Sequence, residues 1–191
     1  MSTDAIYVNL EFTPNPNTLK FSVNRNLLPS GAANFTDASQ CEEAPLAKQV
    51  FEVPGIEAVM VGTNFVTITK SPTGSWDSIA ENVPQRMQSF LEQESAAFTP
   101  KWFEQEQLRR ENQGSGDDVE DRIREILDLE IRPAVAMDGG DIVFDRYEDG
   151  VVYLYLQGAC SSCPSSAMTL KMGVETRLKD AIPEVKEVVQ V

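Results

Sequence analysis

Residues 99–116, TPKWFEQEQLRRENQGSG, decide most about what this chain can fold into. The segment opens on a Thr-Pro turn, runs through a charged stretch with helical character, and ends in the flexible triplet Gly114-Ser115-Gly116. It splits the 191 residues into two stretches, 1–98 and 117–191, each long enough for one small core. The expectation is therefore two small mixed α+β domains joined by a linker. Formal charge is −14 overall and negative on both sides of the linker. The longest basic cluster is Arg109-Arg110, inside a segment of mixed charge. That excludes a basic footprint for nucleic acid or anionic membrane. No apolar run reaches the roughly 18 residues needed to span a bilayer.

The first half reads as mixed α and β. AIYVNLEF is rich in β-branched and aromatic residues, and TPNPN turns the chain after it. TLKFSV alternates, putting Leu19, Phe21 and Val23 on one face. APLAKQVFEV places Leu46, Val50 and Phe51 at helical spacing. EAVMVG and FVTITK form a hairpin around Gly62-Thr63-Asn64. The segment from Trp76 is an amphipathic helix with Ile79, Val83, Met87, Phe90 and Leu91 inward, and Pro84 predicts a kink in it.

The second half reads α-β-β-α-β, a three-stranded sheet with two helices. Val119, Ile123, Ile126 and Leu127 stripe the first helix. MDGGD turns the chain into IVFDRY, EDG makes a tight hairpin, and VVYLYLQ returns. After the cysteines, PSSAMTLKMGVETRLKDAI is a helix whose buried face is Leu170, Val174, Leu178 and Ile182. EVKEVVQV closes the chain as a strand.

GACSSCPSS, residues 158–166, carries two of the three cysteines, Cys160 and Cys163. The chain has no histidine, which removes the commonest general base, Cys–His catalysis and mixed Cys/His zinc sites. The cysteines fall where a strand gives way to a helix. The free N–H groups and positive dipole end of that helix favour thiolate, so lowered thiol pKa values are expected. The neighbours are small, so an open site is expected as well. Two cysteines supply only half of a four-ligand metal or cluster site. Two chains, each giving Cys160 and Cys163 across a twofold axis, are the economical way to complete it. Dithiol–disulfide exchange and a structural zinc between subunits remain open on residues alone. Against exchange, 28 residues after Cys163 leave too little chain for a thioredoxin-like fold. Cys41 stands alone in a polar loop and reads as passive. Asp138-Gly139-Gly140-Asp141 reads as a glycine turn, and Met168 and Met172 as core or dimer packing.

Residues 117–191 resemble an Nfu (NifU-like C-terminal) domain through IRPAVAMDGGDIVF, VYLYLQGACSSCPSSAMTLKMGVETRL and IPEVKEVV. Residues 6–98 resemble the N-terminal domain often joined to it, through TPNPNTLKF, APLAKQVFEVPGIEAVMVGTNFVTITK and Trp76. The resemblance implies a non-enzymatic iron–sulfur cluster scaffold or carrier. It implies a [4Fe–4S] cluster as cofactor, bridging the two subunits of a homodimer through Cys160 and Cys163. It implies apo iron–sulfur proteins as recipients and an upstream assembly scaffold as donor. The start MSTDAIYVNLEF has no signal core or Arg-rich presequence. The expectation is a cytoplasmic, bacterial-type chain, or a mitochondrial matrix chain if it is a processed eukaryotic form.

Overall fold

The computed structural model describes residues 5–93, 96–112, 118–161 and 164–191. Cys163 lies outside the described residues. The N-terminal half forms a five-stranded antiparallel sheet from β1 (Val8–Phe12), β2 (Thr18–Val23), β3 (Ala33–Phe35), β4 (Ile56–Val61) and β5 (Phe65–Lys70), in the order β1-β2-β5-β4-β3. Strand β3 and the 3-10 turn after it, Ala38–Cys41, were not legible as elements; β3 has only three residues and no alternation to read.

Helices α1 (Pro45–Phe51) and α2 (Trp76–Glu92) cover one face of this sheet. Period two sorts the strands onto the two faces. Leu19, Phe21, Val23, Val59, Val61, Val66 and Ile68 join the helix-side core, into which α2 sends Ile79, Val83, Met87 and Leu91. Each such fully buried apolar side chain contributes roughly 1.5–3 kcal/mol by leaving water. Helix α2 runs from Trp76 to Glu92 with Pro84 inside it. Lys20, Met60 and Thr67 point to the opposite face of the sheet, which among the described residues carries no helix of this half.

The segment after the first half is a 13-residue helix, α3 (Pro100–Asn112), whose Trp102 stacks on Phe98 at 4.2 Å and so ties its start to the N-terminal core.

The C-terminal half is a second, separate core. α4 (Asp118–Ile126) passes through a π-helical turn, Leu127–Ile131, into α5 (Arg132–Met137). Pro133 has no N–H to donate, so the regular helical ladder cannot run unbroken through this point. β6 (Gly140–Glu148) and β7 (Val151–Gly158) form an antiparallel hairpin, turned by Asp149 and Gly150 at φ 51° and 92°. α6 (Pro164–Ala181) then crosses over, and β8 (Glu187–Gln190) adds parallel to β7. The expected α-β-β-α-β order holds, with the first helix in two pieces. Ile123, Leu127, Ile142, Val152, Leu154, Val174, Leu178 and Ile182 are its core, and Leu170 packs at its margin.

Candidate metal centre

Cys160 follows the last residue of β7 by two positions. Gly158, at φ +61°, turns the chain out of the strand. The turn is closed by Cys160 N–H to the Gln157 carbonyl (3.4 Å) and Ser161 N–H to the Gly158 carbonyl (3.2 Å). Ser161 Oγ donates to that same carbonyl at 2.8 Å. Across the hairpin, Ala159 N–H donates to the Gly139 carbonyl at 3.1 Å, locking the cysteine loop to the turn between α5 and β6.

That turn is shaped by the two glycines. Gly139 sits at φ +77°, where a side chain is strained. Gly140 lacks a Cβ at the one place where Cys160 needs room: an ideal Cβ there would lie 2.3 Å from Cys160 Sγ. Asp141, 4% exposed, then anchors the start of β6. Arg132 grips it with two hydrogen bonds, Nε to Oδ1 and one terminal nitrogen to Oδ2, both 2.8 Å. Its other terminal nitrogen reaches Asp128 at 2.8 Å. The paired carboxylates hold the Arg132 guanidinium well above its ordinary pKa. This clamp joins α5 to β6 and so fixes the turn that receives the thiol. The Asp-Gly-Gly-Asp stretch is the turn expected from sequence, but Gly140 also makes the seat for Cys160. A glycine pair opening a strand opposite a cysteine loop is the signal that could have shown it.

Two sequence expectations about Cys160 are overturned. It is not open: its residue surface is 8% exposed. Burial, reinforced by the charges of Asp138 and Asp141, pushes its thiol up to about 11, the opposite of the lowered value expected. The reason is position. Helix α6 begins only at Pro164, so Cys160 lies in a strand-end turn and not in the helix's first turn. Its surroundings come from its own half, at Gly140, Ala134, Val135 and Leu170, and in part from the other half of the molecule. Asn15, in the turn between β1 and β2, donates from Nδ2 to the Ala159 carbonyl at 3.0 Å. Pro14 beside it lines a cavity of about 140 Å³, together with Ala134, Val135, Asp138, Cys160 and Leu170.

Cys41 lies in the other core at 0% exposure, its thiol donating to the Asp37 carbonyl at 3.8 Å. It is not a ligand for any site at Cys160. Met168 and Met172 are 67% and 65% exposed, so they do not form part of the core. Among the described residues no three His, Cys, Asp or Glu side chains converge as a complete metal site. No described helix is long and apolar enough to cross a membrane.

Comparison with known proteins matches each half separately. The family described as "NifU-like domain" matches residues 123–189, and "Scaffold protein Nfu/NifU N terminal" matches residues 8–94. The Homo sapiens protein named "NFU1 iron-sulfur cluster scaffold homolog, mitochondrial" is 36% identical over 187 residues, covering 97% of this chain and 72% of that protein. The Drosophila virilis protein of the same name is 40% identical over 193 residues, covering 100% of this chain and 63% of its own length. The solution NMR structure of a NifU-like protein from Saccharomyces cerevisiae aligns over 52% of this chain and 90% of that one, at 27% identity and TM-score 0.46. Both matched segments, in the same order as in relatives aligned along nearly the whole chain, establish that this chain belongs to the Nfu family of NifU-like iron–sulfur scaffold proteins.

Proposed function

We propose that this chain is a carrier and not an enzyme, and that its cargo is a [4Fe–4S] cluster held between two copies. Each copy gives the thiolates of Cys160 and Cys163, and the cluster passes to apo-proteins by stepwise exchange of cysteine ligands. The observation that carries this reading is the isolation of Cys160. It sits on a strand-end turn with soft-ligand chemistry, and the third cysteine is sealed in the other core. One chain therefore offers at most two thiolates, and a cubane cluster needs four. The relatives named as iron–sulfur scaffolds support the same cargo.

Thiol–disulfide exchange fits the site less well. An exchange cysteine works as an exposed thiolate of lowered pKa, and Cys160 is buried with a raised one. For a cluster, ligation itself displaces the thiol proton, at a cost repaid by the iron–sulfur bonds. On this reading residues 117–191 are the cluster-binding domain, 1–98 the domain that accompanies it, and 99–116 their connection. Exposed Met168 and Met172 then belong to the surface on which the second copy packs. An upstream scaffold supplies the cluster. The relatives are named as mitochondrial proteins, which favours the matrix as its place of work over the cytoplasm.

Anaerobic reconstitution tests the ligand set. Wild-type protein should bind about two irons per chain, and Cys160→Ala and Cys163→Ala should each bind none. Full cluster content in either variant would overturn the assignment.

A further inference from the structure

The helix-free face of the five-stranded sheet is not bare. Three side chains on this side of the N-terminal half donate to three main-chain carbonyls around the cysteine loop. Asn15 Nδ2 reaches Ala159 at 3.0 Å, Thr67 Oγ1 reaches Gly139 at 2.7 Å, and Lys20 Nζ reaches Met137 at 3.1 Å. The acceptors lie in the two segments that flank Cys160: the end of β7 and the turn between α5 and β6. Apolar contacts fill the space between them. An ideal Cβ on Gly158 would meet Met60 Cε at 2.6 Å, so Met60 packs directly on that glycine. Thr13 lies against Gly139, and Pro14 walls the cavity beside the thiol.

Asn15, Thr67 and Met60 are each 1% exposed, although none of them belongs to the helix-side core of their own half. They are buried by docking on the cysteine loop. Asn15 also shapes its own turn, accepting the Asn17 N–H at 3.0 Å. The turn is thus built to present its amide to Ala159.

We propose that this face of the N-terminal half is an intramolecular cap on the cysteine loop, and that a second copy of the chain must displace it before cargo is bound. The proposal rests on the cluster-carrier reading above, in which the thiols of two copies must approach one cluster. In the capped form Pro14 lines the cavity at Cys160, and Asn15 holds the neighbouring Ala159 carbonyl. The carbonyls of Met137, Gly139 and Ala159 are already satisfied. The three acceptors are main-chain carbonyls, which water can solvate when the cap opens, and the one charged donor, Lys20, keeps its ion pair with Glu11 at 3.0 Å.

The test is pulsed iodoacetamide labelling of the reduced, metal-free full chain, with rates read at Cys160 and Cys41 by peptide mass spectrometry. The double variant Asn15→Asp, Thr67→Val removes two of the donors. The new carboxylate retains the acceptor that Asn17 uses, and valine matches threonine in shape within β5. Wild-type Cys160 should label at least about tenfold more slowly than in urea. The double variant should raise that rate about tenfold while Cys41, sealed in the N-terminal core, stays slow. Equal Cys160 rates in wild type and variant, or a wild-type rate equal to that in urea, overturn the cap. Should Cys41 accelerate as well, the core has loosened, and Thr67→Val alone decides by the same criterion.

The same proteins are then reconstituted anaerobically. The uncapped variant should take up cluster faster than wild type, and equal uptake rates would overturn the claim that the cap governs loading. Full cluster content in Cys160→Ala would instead remove the carrier reading and leave the labelling result standing.

Discussion

Gly140→Ala tests how the cysteine loop is seated. Gly140 is not among the residues with positive φ, so its backbone accepts alanine and the effect is steric alone. The added Cβ would lie 2.3 Å from Cys160 Sγ, and 3.2 Å from both Cys160 Cβ and the Gln157 carbonyl oxygen. An ordinary contact needs roughly 3.6 Å, so the sulfur must retreat by about 1.3 Å or the hairpin end must open. The hairpin is closed there by the Gly140–Gly158 register pair, and Gly158 itself abuts the Gly139 carbonyl and Met60. Neither can give way without disturbing the cap. Overpacking of this kind costs about 1–3 kcal/mol.

Urea unfolding followed by far-UV circular dichroism measures the loss. Tryptophan fluorescence separates the halves, because Trp76 and Trp102 both pack on the N-terminal core. The far-UV transition of the variant should move to lower urea while the fluorescence transition holds. Cys160 should label faster, since its thiol has been driven from its seat. A variant with unchanged far-UV stability and an unchanged Cys160 labelling rate would refute the argument that Gly140 is glycine to make room for sulfur.

Other expectations follow from the same structure. Gly173, inside α6, has nothing within 4 Å of an added Cβ, so Gly173→Ala should stabilise the chain by about 0.5–1 kcal/mol in urea melts. Arg132→Met should destabilise the C-terminal half by about 3 kcal/mol, because Asp141 is left buried without its cation; a loss under about 0.5 kcal/mol would show the clamp to be dispensable. Burial, with a smaller push from Asp37, raises the Cys41 thiol from 9.0 to about 11. The unfolded thiol ionises first as pH rises, so this contribution is intact below about pH 9 and is lost between there and about pH 11, on the order of 2 kcal/mol. The drop in urea midpoint over that range should be smaller in Cys41→Ala than in wild type, and equal drops would contradict it.

The elements legible in the sequence are those whose pattern is local. The β4–β5 and β6–β7 hairpins announced themselves through Gly62-Thr63-Asn64 and Glu148-Asp149-Gly150, and α2 through its inward side chains. The division of the first C-terminal helix was less visible, although Pro133 marks it in retrospect. What could not be read locally was the state of Cys160. Its small neighbours suggested an open loop, whereas the groups around it, among them Gly140, Val135, Leu170 and Pro14, lie outside that loop in the sequence. Part of its surroundings comes from the N-terminal half: Asn15 bonds the carbonyl of Ala159, 144 residues later in the chain, and Pro14 lines the cavity at the thiol. One sign of that docking was present. In EAVMVG and FVTITK, Met60 and Thr67 fall on the face opposite Val59, Val61, Val66 and Ile68, and nothing local explains an apolar methionine there. A sheet buried on both faces loses its clean alternation, and this sheet needed a second partner. The expectation of a lowered thiol pKa failed for a related reason. It placed the cysteine in the helix's first turn, whereas the helix starts only at Pro164 and tertiary burial dominates.

The central claim is that each chain carries half a cluster site. Native mass spectrometry of the anaerobically reconstituted protein tests it most directly, because it weighs the assembly and its cargo together. The account predicts one dominant ion containing two chains and a single [4Fe–4S] cluster, with clusterless monomers from Cys160→Ala and Cys163→Ala. A cluster retained on a single chain, or a dimer that loads fully without either cysteine, would contradict it.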